Sequence, residues 1–323
     1  MKIVFHHPHP LPVIAYGGIE RIIFWHMVEL VRMGHQVVLI GHPDSKVEEH
    51  GIQLIPHTNN PEQSWEELIP AGCDIAHLFY NHQCQAKIPT INTIQGNGKI
   101  GEKFILNSVF VSKKHAANHG SQSFVYNALD LTEYPFIPVK KEWNRFLFLA
   151  KASWRVKNLK HTVSACRAAN KHLEIVGGRW LGLSRFIHSH GIIGGEKKMN
   201  LINKCDGLIF PVRWHEPFGI AIIEAMSQGL PVIGSPYGSL PELITPETGL
   251  IVKSYAELVE VLKNPPRKFD PLVIRKYIEE NFCMAKHATT YLALYQKVMN
   301  GESLNLDNPS YNLNERAENL LPF

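Results

Sequence analysis

Short apolar runs and amphipathic segments alternate along the chain. Apolar residues recur at helical spacing over residues 19–33, whereas Val37-Val38-Leu39-Ile40 is an uninterrupted apolar run of strand length. Similar short runs occur at residues 2–5, 75–79, 90–94, 109–111, 124–126, 145–150, 173–176, 208–210, 230–233 and 250–252. Buried strands that alternate with helices are typical of parallel sheets covered on both faces. The pattern therefore predicts an α/β protein with doubly wound, Rossmann-like sheets.

The segment from Tyr134 to Glu142 interrupts this alternation. It contains Pro135, Pro138 and a group of charged residues, which predicts a linker, and the strand and helix pattern restarts beyond it. A length of 323 residues fits two domains of ordinary size. We therefore expect one domain over residues 1–138 and a second over 139–283. A helix over 284–300 is expected to pack back on the first domain, followed by an irregular tail over 301–323.

Composition and charge narrow the classes of protein. The chain is 45% hydrophobic and 19% charged, as globular proteins are. Residues 131–323 carry 24 Lys and Arg against 18 Asp and Glu, a balance that favours an anionic ligand. No basic run is interleaved with aromatic residues, so nucleic acid is not an expected partner. The five cysteines are scattered, which favours reduced thiols in a cytoplasmic protein.

The hydropathy pattern also bears on membranes. No apolar stretch approaches the 18 residues that a membrane-spanning helix requires, and the first residues lack the apolar region of a signal peptide. We expect a cytoplasmic protein, with peripheral attachment to the inner face of the membrane left open.

Two glutamates follow the predicted strand over residues 208–210. Pro217 suits the first position of a helix, so we expect a helix that begins near Pro217 and leaves Glu216 on the preceding loop. The first-turn N–H groups of such a helix bind anions, and Gly219 allows a ligand to approach the backbone closely. Glu224 lies in an apolar run, where a carboxylate is costly without partners. We therefore favour a phosphate site flanked by two carboxylates that accept hydrogen bonds from hydroxyl groups. The alternative is that Glu216 is a simple helix cap.

The sequence EPFGIAIIEAMSQGLPVIG from Glu216 onward carries a family resemblance. Together with GSLPELI from Gly238 and GLIV from Gly249, it resembles the donor domain of the family 4, or group 1, retaining glycosyltransferases over residues 146–252. The resemblance implies the GT-B fold, in which two Rossmann-like domains face each other across a cleft. It also implies that Glu216 contacts the donor sugar and that Glu224 contacts the ribose.

The same resemblance implies further donor contacts on two loops. The backbone of Phe218, Gly219 and Ile220 is expected to meet the sugar and phosphates. In the loop Ala150–Asn158 the family has Gly-Arg-Leu and then a Lys, and the two cations hold the diphosphate. Here Ala150 replaces the Gly, Lys151 stands in the Arg place, Lys157 is the second cation, and the spacing is one residue longer.

The cations of this loop differ in what they offer a diphosphate. Lys151 supplies a point charge without the bidentate fork of Arg, and Arg155 is an alternative cation. A solvated basic loop is the other interpretation. The resemblance gives catalytic roles to Glu216, Lys157 and Lys151.

Other residues carry weaker signals. Gly17-Gly18 resembles the family's Gly-Gly turn that faces the diphosphate, although a flexible helix entry is the common role of such a pair. Ile193 is expected to contact the base through its backbone, and a packing role is equally open. Three residues at predicted strand or loop ends are candidates for lining the cleft: His77, Gln95 and Asn127. Gln95 stands where many members have His and cannot carry a proton, and His77 also fits a structural role.

No metal or cofactor is expected. His6, His7 and His9 are clustered without a carboxylate or cysteine, which argues against a metal site. The resemblance implies metal-independent chemistry in which Lys151, Lys157 and helix amides replace the cation. The nucleotide-sugar is a substrate.

The resemblance implies an enzyme that transfers a sugar, with retention, from a UDP- or GDP-sugar to a saccharide or lipid-linked acceptor. Synthesis of cell-surface polysaccharide or glycoconjugate is the expected context. Two alternatives stay open: a nucleotide-sugar epimerase of similar fold, and a non-catalytic partner subunit of a glycosyltransferase. The sequence leaves the oligomeric state open.

Overall fold

A computed structural model describes residues 1–13, 17–58, 63–139, 142–313 and 319–323. Contacts divide this part of the chain into two units. The first contains residues 1–13, 17–128 and 284–313, and the second contains residues 129–139, 142–283 and 319–323. Each unit has its own parallel sheet flanked by helices, which confirms the predicted α/β class.

The first unit is built on a six-stranded sheet in the part of the chain that is described, with the order β3-β2-β1-β4-β5-β6. All its strand pairs are parallel. The strands are β1 Lys2–His7, β2 Gln36–Gly41, β3 Gln53–Pro56, β4 Ile75–Leu78, β5 Thr90–Ile94 and β6 Ser108–Phe110. The apolar run at residues 124–126 is not a strand, because Phe124 forms only an isolated bridge with Phe110 and packs beside it in a small core cluster.

The helices of the first unit come from both ends of the sequence. They are α1 Gly18–Arg32, α2 Lys113–Asn118 and, much later in the chain, α9 Met284–Met299. Short 3-10 turns cover Glu48–His50 and Trp65–Leu68. Helix α9 packs against α1 and β5 and buries Tyr291 and Tyr295 completely. The core of this unit is therefore closed by a helix that follows residues 129–283 of the second unit in sequence.

The second unit repeats the architecture, with the sheet order β12-β11-β10-β7-β8-β9 and parallel pairing throughout. Its strands are β7 Arg145–Leu149, β8 His172–Val176, β9 Ile187–Ser189, β10 Gly207–Phe210, β11 Val232–Gly234 and β12 Gly249–Ile251. Its helices are α3 Leu159–Ala168, α4 Gly195–Asn203, α5 Ile220–Ser227, α6 Leu240–Leu243, α7 Tyr255–Lys263 and α8 Pro271–Asn281. Phe146, Phe148, Ile175 and Ile209 lie in its core.

The second unit begins earlier than the expected boundary at residue 138. Leu129 N–H donates to Phe282 O over 2.9 Å, and Asp130 caps a 3-10 turn over Leu131–Glu133. Tyr134 is 1% exposed, so the start of the predicted linker is packed structure. Lys140 and Lys141 of that linker lie outside the described residues.

The predicted tail is divided between the two units. Residues 301–313 belong to the first unit, where Ser310 N–H donates to His119 O over 2.9 Å. Residues 319–323 belong to the second unit, and residues 314–318 lie outside the described residues.

Candidate functional site

The loop after β10 carries Glu216 to the start of α5. The helix begins at Ile220, so the expected start near Pro217 is wrong. The carbonyl oxygens of Glu216 and Phe218 accept hydrogen bonds from Ser239 N–H (3.0 Å) and Ser239 Oγ (2.6 Å). These carbonyls therefore accept hydrogen bonds from a residue distant in sequence, and not from the amides of a following helical turn. The first amides of any α-helix lack an intrahelical acceptor. The amides able to bind an anion are therefore those of the turn that begins at Ile220, and not those near Pro217.

Glycines shape this loop at two positions. Gly219 is the N-cap of α5 with φ +88°, a conformation that favours glycine. Gly238 has φ +63°, and a Cβ there would lie 2.2 Å from Glu216 O and 2.3 Å from Glu216 N. The second matched stretch, which starts at Gly238, therefore lies directly against the backbone of Glu216.

Glu216 is 7% exposed, and its carboxylate is held by one oxygen. Its Oε2 accepts hydrogen bonds from Lys157 Nζ (2.6 Å) and Trp214 Nε1 (2.6 Å). Lys157 Nζ also lies 5.0 Å from the centre of the Trp214 ring, within cation–π range. Among the described residues nothing donates to the other oxygen, Oε1.

The loop after β7 is tied to the loop after β10. Residues Arg155–Lys157 form a 3-10 turn that ends at Asn158, whose φ is +61°. Asn158 Nδ2 donates to Pro211 O over 2.9 Å, and Arg213 N–H donates to Val156 O over 2.7 Å. These bonds place Lys157 beside Glu216.

The other two predicted cations do not reach the glutamates. Lys151 is exposed, and its Nζ lies 5.0 Å from the centre of the Trp154 ring. Arg155 is also exposed. Of the three cations proposed for the diphosphate, Lys157 alone is paired with Glu216 in the described chain.

Glu224 is 8% exposed and is also held by one oxygen. Its Oε1 accepts hydrogen bonds from the Tyr134 hydroxyl (2.6 Å) and from Lys198 Nζ on α4 (2.5 Å). Sequence reasoning missed both partners. One signal was present for Lys198, since it lies one helical turn before the fully buried Ile202 on the same face of α4.

The turn after β8 packs closely on the loop that carries Lys151. Gly177 has φ +100°, and a Cβ there would lie 2.2 Å from Ala150 O. Gly177 N–H donates to Gly191 O over 2.8 Å, which brings the chain before α4 to this edge of the sheet. Ile193 lies in that chain, half-buried and just before the N-cap of α4.

Gly17 and Gly18 lie at the start of α1 in the first unit. Gly17 is the N-cap with φ +152°, and a Cβ there would lie 2.8 Å from Glu20 Oε2. The Glu20 carboxylate thus lies beside the turn that was expected to face phosphate.

The three candidates for lining the cleft have different environments. His77 is 0% exposed, and its ring nitrogens bond Tyr295 Oη (2.6 Å) and Thr93 Oγ1 (2.7 Å). Its expected role at a cleft is therefore corrected to a structural one, because the ring has no surface to offer a ligand. Gln95 and Asn127 bond each other reciprocally, at 3.1 and 2.9 Å.

Residues 319–323 lie against the loop that carries Glu216. Leu321 N–H donates to Arg213 O (3.0 Å), and Arg213 Nε donates to Leu321 O (2.6 Å). The Tyr237 hydroxyl donates to Pro322 O over 2.7 Å. Arg213 precedes Trp214, and Tyr237 precedes Gly238, so this segment holds the two stretches that flank Glu216.

Of the clustered histidines near the end of β1, His6 and His7 are buried and His9 is exposed. His6 Nδ1 lies 2.6 Å from Tyr80 Oη, and its ring stacks on Trp65 at 4.7 Å. Burial, with His57 and His7 nearby, lowers the pKa of His6 to about 3. Within the described ranges, no three His, Cys, Asp or Glu side chains form a group able to hold a metal ion. None of the described helices combines the length and apolar character needed to cross a bilayer.

Two α/β units, each built on a parallel sheet, form the GT-B fold, which similar solved structures of glycosyltransferases share. Residues 132–264 match the family model described as "Glycosyl transferases group 1". The matched range contains the stretch from Glu216 to Glu224, which confirms the resemblance to the group 1 glycosyltransferases in this part of the chain.

Individual relatives agree with this classification. The chain is similar to a trehalose synthase of Pyrococcus horikoshii, with 30% identity over 102 residues, 30% of this chain and 25% of that protein. It therefore spans only about a quarter of the length of this curated relative.

Similar solved structures show the same fold. AviGT4, a glycosyltransferase involved in avilamycin A biosynthesis, has a TM-score of 0.77 at 20% identity, covering 94% of this chain and 99% of that one. Anabaena Alr3699/HepE in complex with UDP and glucose has a TM-score of 0.67 at 17% identity, covering 92% and 100%.

Proposed function

We propose that this protein is a retaining glycosyltransferase that moves a sugar from a UDP- or GDP-sugar to a hydroxyl of a saccharide or lipid-linked acceptor. One observation carries the proposal. Glu216 and Glu224 lie before and within α5, and each is held through one carboxylate oxygen while the other has no protein donor in the described chain. The description of Alr3699/HepE with UDP and glucose supports this class of donor.

Each part of the donor has a proposed partner. Oε1 of Glu216 accepts hydrogen bonds from the donor sugar, and Glu224 accepts them from the ribose. The backbone of Phe218, Gly219 and Ile220 meets the sugar and phosphates at the helix start. Further donor contacts are proposed for Gly17, Gly18, Lys151, Arg155 and Ile193.

The proposed reaction needs no protein nucleophile. The acceptor oxygen forms a bond to the anomeric carbon on the face from which the diphosphate leaves, and the bond from that carbon to the diphosphate oxygen breaks. The acceptor proton passes to an oxygen of the leaving phosphate. Lys157 and the helix amides stabilise the charge that develops on the diphosphate, and fixed positioning of both substrates lowers the barrier further. The nucleotide-sugar is a substrate, and no metal or cofactor takes part in this scheme.

The proposed context is the synthesis of cell-surface polysaccharide or glycoconjugate in the cytoplasm. Peripheral attachment at the inner membrane face is part of this proposal, since a lipid-linked acceptor lies at that surface. The basic second half of the sequence, with 24 Lys and Arg against 18 Asp and Glu over residues 131–323, supports contact with anionic groups.

A melting-temperature screen over UDP, GDP, UDP-glucose, UDP-galactose and GDP-mannose tests the donor site. A ligand at 100 times its Kd stabilises the protein by about 2.7 kcal/mol, enough for a clear shift. The stabilising sugar nucleotide is then incubated with a panel of saccharide and lipid-linked acceptors, and the anomeric configuration of the product is determined by NMR.

The outcomes separate the alternatives. A product with the donor's anomeric configuration supports the proposal, and an inverted product overturns the retaining mechanism. An isomerised sugar nucleotide formed without acceptor favours an epimerase. Binding without turnover on any acceptor favours a non-catalytic subunit.

A further inference from the structure

We infer that Lys198 and Tyr134 are positioning residues that make Glu224 selective for the ribose hydroxyls of a nucleotide. The site would then discriminate ribonucleotides from 2′-deoxyribonucleotides. This inference rests on the proposed function, because it assumes that Glu224 faces a nucleotide. It adds two residues that lie outside the stretch from Glu216 to Gly234 in which Glu224 was recognised.

Both donors meet the same oxygen of Glu224. Lys198 Nζ lies 2.5 Å and Tyr134 Oη 2.6 Å from Oε1. A carboxylate held at one oxygen by two donors from different directions has its plane fixed. Oε2 is then the acceptor left for a ligand, since no described residue donates to it.

The two donors are themselves held firmly. The side chains of Lys198 and Glu224 are only 11% and 10% exposed. The carbonyl oxygen of Tyr134 accepts a hydrogen bond from Arg275 Nη1 (2.8 Å), which also donates to Ser227 O (3.0 Å) at the end of α5. Tyr134 and Lys198 of α4 therefore meet at the carboxylate of Glu224 on α5, and Arg275 of α8 joins Tyr134 to the end of α5.

A purely structural role explains this arrangement poorly. Burying a lysine and a glutamate costs several kcal/mol of desolvation, and apolar side chains of similar volume often replace such pairs without loss of stability. Here both donors crowd on Oε1, which leaves Oε2 as a fixed acceptor for a hydroxyl group.

Selectivity follows from the unpaired acceptor. A 2′-deoxyribose removes one hydroxyl, so a fixed Oε2 loses a partner that water replaces poorly in a confined site. Sites built to bind a hydroxyl reject analogues that lack it, and for the loss of one hydroxyl at this carboxylate we expect about 10- to 100-fold weaker binding. Without Lys198 the carboxylate is able to rotate. The Kd values for the ribonucleotide and its 2′-deoxy analogue should then differ by less than about threefold.

The experiment measures Kd by calorimetry for UDP against 2′-deoxy-UDP and for GDP against 2′-deoxy-GDP. It compares the wild type with Lys198→Met, with Lys198→Arg and with the matched control Lys197→Met, since Lys197 is the exposed neighbour on the same helix. Lys198→Arg keeps the cation and should retain discrimination. Lys197→Met should behave as the wild type. Tyr134→Phe removes a single hydroxyl and serves as a second test if Lys198→Met does not fold.

Failure of the inference and failure of the proposed function are distinguishable. If no nucleotide binds the wild type, the proposed function is wrong. If the wild type binds but does not discriminate, the selectivity is absent. If Lys198→Met, or Tyr134→Phe in its place, keeps the wild-type ratio of the two Kd values, these residues do not position Glu224.

Discussion

Lys157 Nζ donates to Glu216 Oε2 over 2.6 Å, which joins the loop after β7 to the loop after β10 by an ion pair that is about nine-tenths buried. The cation expected to meet the diphosphate and the carboxylate expected to meet the sugar therefore neutralise each other in the free protein. An ammonium group has three N–H donors, so Lys157 is able to keep this bond and still donate to a phosphate oxygen.

Removal of the Lys157 charge should affect transfer far more than removal of a neighbouring charge. We expect Lys157→Met to lower kcat/KM by about 100- to 1,000-fold, because it deletes a cation aimed at the leaving group. Lys160→Met is the control, since Lys160 is an exposed residue near the start of α3. Steady-state kinetics with saturating acceptor provide the measurement. Equal kinetics for both variants would remove Lys157 from the mechanism.

A methyl group at Gly238 should disrupt the loop of Glu216. Gly238→Ala places a Cβ 2.2 Å from Glu216 O at a φ of +63°. Gly72→Ala is the matched control, because Gly72 has φ +77° and no atom within 4 Å of the added Cβ. We expect Gly72→Ala to cost about 1 kcal/mol of unfolding free energy from backbone strain alone, and Gly238→Ala to cost more and to weaken donor binding.

Urea unfolding and donor titration measure the two effects of the glycine variants. Identical losses of stability in both variants, with unchanged donor affinity, would show that the approach of Gly238 to Glu216 is unimportant.

Loss of residues 319–323 should loosen the same loop. Deleting them removes both hydrogen bonds between Leu321 and Arg213 and the bond from Tyr237 to Pro322. We expect a drop of several degrees in melting temperature and a higher KM for the donor, with a smaller change in kcat, because net protein hydrogen bonds contribute about 1 kcal/mol each. Arg213→Ala should reproduce part of the effect.

The exposed Arg167 supplies the control for the arginine variant, as Arg167→Ala. A deletion that leaves both melting temperature and KM at wild-type values would contradict a role of this segment in holding the loop.

Stability should fall as the pH drops below about 6.5. Burial lowers the pKa of His287 to about 4, and it lowers the pKa of His26 and of His77 well below the usual value. A histidine with a depressed folded-state pKa binds its proton more readily when unfolded. Stability is therefore complete above the unfolded pKa and is lost between about pH 6.5 and 4, by up to roughly 1.4 kcal/mol per pH unit for each histidine.

Urea unfolding at pH 7.5 and at pH 5 tests this dependence. His287→Asn removes one titrating ring and should reduce the loss of stability between the two pH values, even if the variant starts from lower stability. An undiminished pH dependence in the variant would place the effect on other groups, such as His6 and His7, whose pKa values burial also lowers.

Local patterns were sufficient for most strands and for the long helices. The apolar run Val37–Ile40 lies in β2, and the helix expected over residues 284–300 is α9, Met284–Met299. The predicted start of α5 was wrong because the carbonyls of Glu216 and Phe218 accept hydrogen bonds from Ser239. A prediction based on Pro217 alone does not include this distant contact.

The candidate site also contains residues that local motifs predict and residues that only contacts distant in sequence reveal. Glu216, Glu224 and Lys157 stand in motifs that can be read along the chain. Lys198 and Tyr134 could not be found this way, because they meet Glu224 across 26 and 90 residues of sequence. Tyr134 also lies in a Pro-containing segment that resembles a linker, and only the packing around Arg275 shows that it is fixed.

Helix α9 also affects the order in which the chain is able to fold during synthesis. Residues 1–128 leave the ribosome well before Met284–Met299, the helix that carries the fully buried Tyr291 and Tyr295 of the first unit. In the nascent chain α1 therefore lacks its packing partner α9 while residues 129–283 form the core of the second unit. Domains generally fold as units as they emerge, so the core formed by residues 129–283 should be complete before the first unit folds, and residues 319–323 should join it last.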